Sequence, residues 1–154
     1  MNDIILYRYL RPLSFDETRI EVSDGPTGGI TFKFFIDQIN HELSFYYCRC
    51  RDDENFDRQI AKKIVDGRAK AYKHGWCFPY NRNVSLIQNV RDFLKENIPF
   101  ETNEQRELRK YMKIITNHNS ALEKRVLLLI DGITNKVVKE LSLYDEDGKC
   151  YIKV

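Results

Sequence analysis

The chain has 154 residues, 42% hydrophobic and 31% charged, with 25 basic against 23 acidic side chains and a formal net charge of +2. That length suits one domain, and that apolar fraction can build a packed core, which excludes a disordered tail protein. The near balance of charge excludes a uniformly basic nucleic-acid binder, so any anion site has to arise from local clustering.

Residues 4–13 are an apolar, aromatic opening that reads as a strand or a short buried turn, ended by Pro12. A short strand around residues 19–22 precedes the turn Asp24-Gly25-Pro26-Thr27-Gly28-Gly29. Ile30, Phe32, Phe34 and Ile36 then alternate with Thr31, Lys33 and Phe35, the period of two that marks a half-buried strand. After a reversal at residues 37–40, residues 43–51 return as the second strand of a β-hairpin. On that strand Leu43, Phe45, Tyr47, Arg49 and Arg51 share one face, and Ser44, Tyr46, Cys48 and Cys50 the other.

Asp52 and Asp53 are placed to cap a helix over residues 54–73, with Gly75 as its stop. Phe56, Ile60, Ile64, Gly67 and Ala71 fall within one arc and are expected to face the sheet, with Ala61, Val65 and Tyr72 widening it. An aromatic loop follows, Trp76-Cys77-Phe78-Pro79-Tyr80-Asn81-Arg82-Asn83, and then an amphipathic helix over residues 85–97. Thr102 and Gln105 fit a capping box opening a third helix to about residue 116, and Ser120 with Glu123 repeats the signal. Residues 125–130 suit a buried strand or a buried helix equally. Residues 137–144, a turn at 145–148 and residues 150–154 read as a second hairpin. The expected fold is therefore α+β: an antiparallel β-hairpin packed on a central basic helix, two or three further helices, and a C-terminal β-hairpin. It is expected as one domain over 1–154, divisible into a hairpin–helix core (1–80) and a helical segment with the terminal hairpin (81–154).

No apolar run approaches the ~18 residues that span a bilayer, and the N-terminal residues lack the layout of a secretory signal. A cytoplasmic protein without a membrane partner is expected. Cys48, Cys50, Cys77 and Cys150 then read as reduced thiols.

The basic helix is the first candidate surface. Between Phe56 and Gly75 six bases (Arg58, Lys62, Lys63, Arg68, Lys70, Lys73) stand against Asp57 and Asp66, a local net charge of +4. Most of the lysines lie opposite the apolar stripe, which is equally the makeup of a solvated helix face. Arg68 differs, because at 100° per residue it falls inside the apolar arc, next to Gly67. A guanidinium there has to be paired or has to reach a cleft edge and bind an anion. A glycine in a helix interior costs about 1 kcal/mol relative to alanine, which points to a close approach at Gly67 by a neighbouring strand or a ligand.

Arg49 and Arg51 extend the positive surface beside Phe45 and Tyr47, a combination suited to phosphates and stacked bases, although Asp52, Asp53 and Glu54 could pair with them. Trp76, Phe78, Tyr80 and Arg82 could stack a base, anchor a protein partner, or plug the core. Cys48, Cys50, His74 and Cys77 are the candidate ligands of a tetrahedral zinc, provided the hairpin runs back along the helix; buried apolar filling is the usual role of free cysteine. No P-loop, G-x-G-x-x-G, G-x-S-x-G or H-E-x-x-H is present, and no catalytic residue or cofactor is expected.

The stretch from Ile30 to Ala71 resembles a pattern in small phage-encoded accessory proteins, where a hairpin ending in a Cys-containing strand runs into a helix of the form D-x-F-x-R-x-x-A/G closed by G-R. The matching residues are Cys48, Asp53, Phe56, Arg58, Ala61, Gly67 and Arg68, with two residues rather than one between Asp53 and Phe56. The resemblance implies a phage or prophage protein that acts inside a bacterium. Such proteins disable a host enzyme or defence system by binding, and some sequester nucleotide signals. Three functions are carried forward. One is a non-enzymatic binder of an anionic nucleotide or nucleic acid through Arg49, Arg51, Arg58 and Arg68, with Trp76, Phe78 or Tyr80 stacking. The second is an inhibitor or adaptor of a host protein. The third is a zinc-dependent enzyme or zinc-stabilised module. A flat hairpin with an aromatic surface also suits a homodimer.

Overall fold

The structure, a computed structural model, describes residues 3–134, 140–142 and 151–153, with side chains to Leu128. Strands come first. They are β1 (Ile4–Leu10), β2 (Leu13–Asp16), β3 (Glu21–Asp24), β4 (Thr27–Asp37) and β5 (Glu42–Asn55). Helix α1 (Arg58–Lys70), strand β6 (Gly75–Pro79), helix α2 (Leu86–Glu96) and helix α3 (Asn103–Thr134) follow.

The β4–β5 hairpin pairs as its alternation dictates, with Phe34 opposite Phe45 and Phe32 opposite Tyr47. It is the middle of a larger sheet of order β1-β4-β5-β6, antiparallel throughout. Each face of that sheet is covered. Phe32, Phe34, Phe45 and Leu43 pack on Leu86, Val90, Leu94, Leu108, Met112 and Ile115 of α2 and α3. On the other face Cys48 packs on Ala61 and Val65 of α1, with Tyr7, Tyr46 and Phe56 around them. β2 and β3 form a separate ribbon. Asn119 of α3 ties the β1–β2 corner down, accepting from Leu13 N and donating to the Arg11 carbonyl.

This arrangement corrects the expected architecture. The hairpin does pack on the basic helix, but that helix is not central: it covers one face of a four-stranded sheet, whose outer strands are residues 4–10 and 75–79 and whose apolar face is buried against α2 and α3. The helical half is also simpler. Of a fourth short helix or a continuation, which the Ser120–Glu123 signal left open, the structure has the continuation: α3 is opened by the reciprocal Thr102–Gln105 capping box and runs through residues 125–130. Beyond it, Glu140–Ser142 (β7) pairs with Tyr151–Lys153 (β8). The expected turn at 145–148 and most of the flanking residues lie outside the described ones, so a C-terminal hairpin over residues 137–154 is not shown. The chain remains α+β.

Helix α1 shows how one residue type redirects a boundary. β5 continues through Asp52 and Asp53 to Asn55, and the cap falls instead to Asp57, whose carboxylate accepts from Gln59 N and Ile60 N. The helix is rotated from the expected arc. It buries Ala61, Val65 and Ala69, while Ile60 and Ile64 are 57% and 45% exposed. Small residues win that face because β4 and β5 present Thr31, Lys33, Tyr46 and Cys48 there, a surface that a flat alanine stripe approaches closely. Lys33 is held in this layer by Asp66 at 2.7 Å, and Tyr7 donates to the same carboxylate.

Nothing approaches Gly67. A Cβ built there meets no atom within 4 Å, so the expected close contact is absent and the glycine only loosens the helix. Gly67→Ala is therefore expected to stabilise the protein by about 0.5–1 kcal/mol, read as a rise in the urea midpoint at unchanged slope. Among the described residues no helix is long and apolar enough to cross a membrane.

Candidate functional site

β6 pairs with β5 only from Glu42 to Tyr46. From Tyr47 onward β5 has no strand partner on that side among the described residues, so the sheet has an open edge there. Four elements meet at it. β5 supplies Tyr47 and Arg49, the last turn of α1 supplies Arg68, the α1–β6 connector supplies His74, and α3 supplies Glu104, Glu107, Leu108 and Tyr111. They line a concavity of about 250 Å³.

Each side chain is held for a local reason. Arg68 donates to the outward carbonyl of Tyr47 at 2.9 Å, covering a polar group that β6 leaves unpaired. Arg49 lies over the Tyr111 ring, its guanidinium carbon 3.6 Å from the centroid, a cation–π contact. The Tyr111 hydroxyl accepts from Gly29 N at 3.2 Å and reaches the Cys50 carbonyl at 3.1 Å and Asp52 at 2.8 Å. It fills the register break between Thr27 and Gly29, where β4 and β5 part. His74 sits in a left-handed backbone conformation (φ 59°) that favours glycine. Its carbonyl accepts from Tyr47 N at 3.1 Å and its Nδ1 meets Glu104. Glu104 also accepts from the Tyr47 hydroxyl at 2.9 Å. Burial, and then this bond to Glu104, push the Tyr47 hydroxyl well above its ordinary value, so it stays a donor through the neutral range.

The two arginines and two glutamates of the lining balance in formal charge but do not pair with each other. Among the described residues no carboxylate lies within ion-pair distance of Arg49 or Arg68, although both Glu104 and Glu107 line the same space. Glu104 is turned to Tyr47 and His74 instead.

The sequence-chosen residues are divided by this geometry. Arg49 and Arg68 come together, with His74. Arg51 does not join them: it is 2.7 Å from Glu54 and 3.9 Å from Asp53, as the local acids allow. Arg58 lies over the Tyr9 ring in the α1 layer. Trp76 and Phe78 are not in a loop but in β6, partly buried against the main core; Trp76 stacks on Tyr47 and Phe78 on Phe93 at 4.6 Å. Tyr80 and Arg82 line a different concavity with Ile4, Ile36, Asp37, Gln38 and His41. Asp53 lies in β5 and not in the helix, so the D-x-F-x-R pattern spans a strand end and a helix start.

The candidate zinc ligands are also separated. The Cys48 thiol is buried beside the Ala61 carbonyl, Cys50 faces the Glu54 carbonyl, Cys77 donates to Glu42, and His74 is engaged by Glu104. Among the described residues no cluster of three metal-ligating side chains occurs. Cys150 lies outside them.

Glu104, Glu107 and Tyr111 escaped sequence reading. Their spacing of three and four residues did mark one helix face, but nothing local showed that this face meets β5. Compared with known protein families, curated proteins and solved structures, the chain matches none.

Proposed function

We propose that this cleft binds a phosphate-bearing anion of nucleotide size, and that the protein acts by holding that ligand rather than transforming it. The observation that carries the reading is the pair Arg49 and Arg68. Both guanidinium groups are fixed by neutral partners, a ring and a carbonyl, so their orientation is set while their charge is left available. Pre-orientation of this kind reduces the side-chain entropy lost on binding. The resemblance to phage accessory proteins supports a counter-defence role in a bacterial cytoplasm, by removal of a nucleotide ligand.

Calorimetric titration with a nucleoside monophosphate panel tests the proposal. Micromolar to sub-millimolar binding is expected, weakening with added salt as exposed charges are screened, with the nucleotide recovered intact. Arg68→Met is expected to lower affinity about 10- to 100-fold, the loss of a charge-assisted contact, while Arg68→Lys loses less. Binding by none of the nucleotides, or an affinity unmoved by Arg68→Met, rejects it.

The open edge of β5 beyond Tyr47 favours a second reading, in which an extended segment of a host protein adds a strand beside residues 49–55. Its binding would resist salt and leave nucleotide titrations flat.

A further inference from the structure

We infer that the cleft selects guanine among the bases, through the Glu107 carboxylate and the outer face of the Arg49 guanidinium; this rests on the anion-binding reading above. Glu104, Glu107, Leu108 and Tyr111 succeed one another along one face of α3. At 1.5 Å per residue that wall is about 10 Å long, the span of one nucleotide. Its two ends are occupied. Glu104 receives Tyr47 and His74 at one end, and Tyr111 carries Arg49 at the other. Glu107 stands between them, exposed, with no hydrogen bond or ion pair among the described residues.

An ionised carboxylate offers two acceptor oxygens side by side and no donor. A ligand that meets it well brings two parallel N–H groups. Guanine does so with N1–H and the N2 amine. Adenine sets its amine beside the acceptor N1, cytosine sets its amine beside the acceptor N3, and uracil has one N–H flanked by two carbonyls. Each of these places lone pairs against the carboxylate. The same cleft holds Arg49 and Arg68, so its ligand combines a donor pair with an anionic end, as a guanine nucleotide does.

Arg49 adds the plane. One face of its guanidinium is covered by the Tyr111 ring at 3.6 Å. The other is free to stack on a base, a contact guanidinium groups make readily. Base on Arg49, base edge on Glu107 and phosphate on Arg68 engage both arginines of the cleft and the carboxylate between the ends of the wall.

The test is calorimetric titration of the full chain with GMP, AMP, CMP, UMP and ribose 5-phosphate, before and after Glu107→Gln. A glutamine amide presents one acceptor and one donor and cannot receive both guanine N–H groups. GMP is expected to bind roughly 10- to 100-fold more tightly than AMP, the discrimination of one bidentate contact, and the GMP/AMP ratio in Glu107→Gln is expected to fall to near one. Thermal melts of the variant check that it folds; Glu107 is exposed, so no change is expected there. Equal affinity for all four nucleotides, or a GMP preference that survives Glu107→Gln, overturns the base assignment and leaves the anion site standing. Binding of none of the five, ribose 5-phosphate included, overturns both.

Discussion

Phe45→Ala is expected to destabilise the protein by about 3–5 kcal/mol, the usual cost of a buried phenylalanine cavity. The residue is fully buried. Its ring lies 6.0 Å from Phe32, 5.6 Å from Trp76, 6.0 Å from Phe78 and 6.4 Å from Phe93. It thus joins the hairpin to the edge strand β6 and to α2. Those neighbours are themselves pinned, Phe78 by Phe93 and Trp76 by Tyr47, so the void cannot close by a simple rotation. For a chain of this size the melting temperature should fall by roughly 10–15 °C. A drop below a few degrees would show that β6 and α2 hold to the sheet without this ring.

Gly75→Ala, one methyl group at a partly exposed edge, is expected to cost about 3 kcal/mol, the upper end of ordinary overpacking. An added Cβ would fall on the Phe45 carbonyl oxygen and the Tyr46 ring, well inside contact distance. A backbone oxygen in a paired strand cannot move aside as a flexible side-chain tip can. The strand pair itself must open, at the position where β6 begins. The bond from Tyr47 N to the His74 carbonyl is adjacent and should weaken with it. Faster amide exchange at Tyr47 together with a lower melting temperature is the expected signature. The opposite sign expected for Gly67→Ala makes an internal contrast. Both are glycine-to-alanine changes, and only the surroundings differ.

Much of the strand content was legible because alternation is a strong local signal. Phe32 and Phe34 share one face of their strand and Leu43, Phe45 and Tyr47 one face of theirs, and the structure buries both sets in one core. The Thr102–Gln105 box was equally readable, since a capping box depends on neighbours three residues apart. Residues 75–79 escaped for a physical reason. Glycine, proline, a cysteine and two bulky rings carry no clean period, and the segment becomes a strand only because β5 presents a partner. Helix α1 was recognised as a helix with Ala61 and Val65 on its apolar arc, but the arc was centred on Ile60 and Ile64, because isoleucine outweighs alanine in any hydropathy count. The true face was set by how near the helix can lie to the sheet. For the site, arginine chemistry was visible and only part of its company was. Arg68 stood apart inside the apolar arc and the acids after Arg51 were seen as partners, but Arg58 looks no different from Arg49 until Tyr9 is seen beside it.

The early end of β6 has a consequence of its own. Helices α1 and α3 lie on opposite faces of the sheet, and an unbroken fourth strand would wall them off from each other. The missing length works as a window, through which the guanidinium of Arg68 and the α3 residues share one space. Anything lodged in that window leans on both helical layers at once. Occupancy should therefore brace the whole sandwich against unfolding, and two residues added to β6 would shut it.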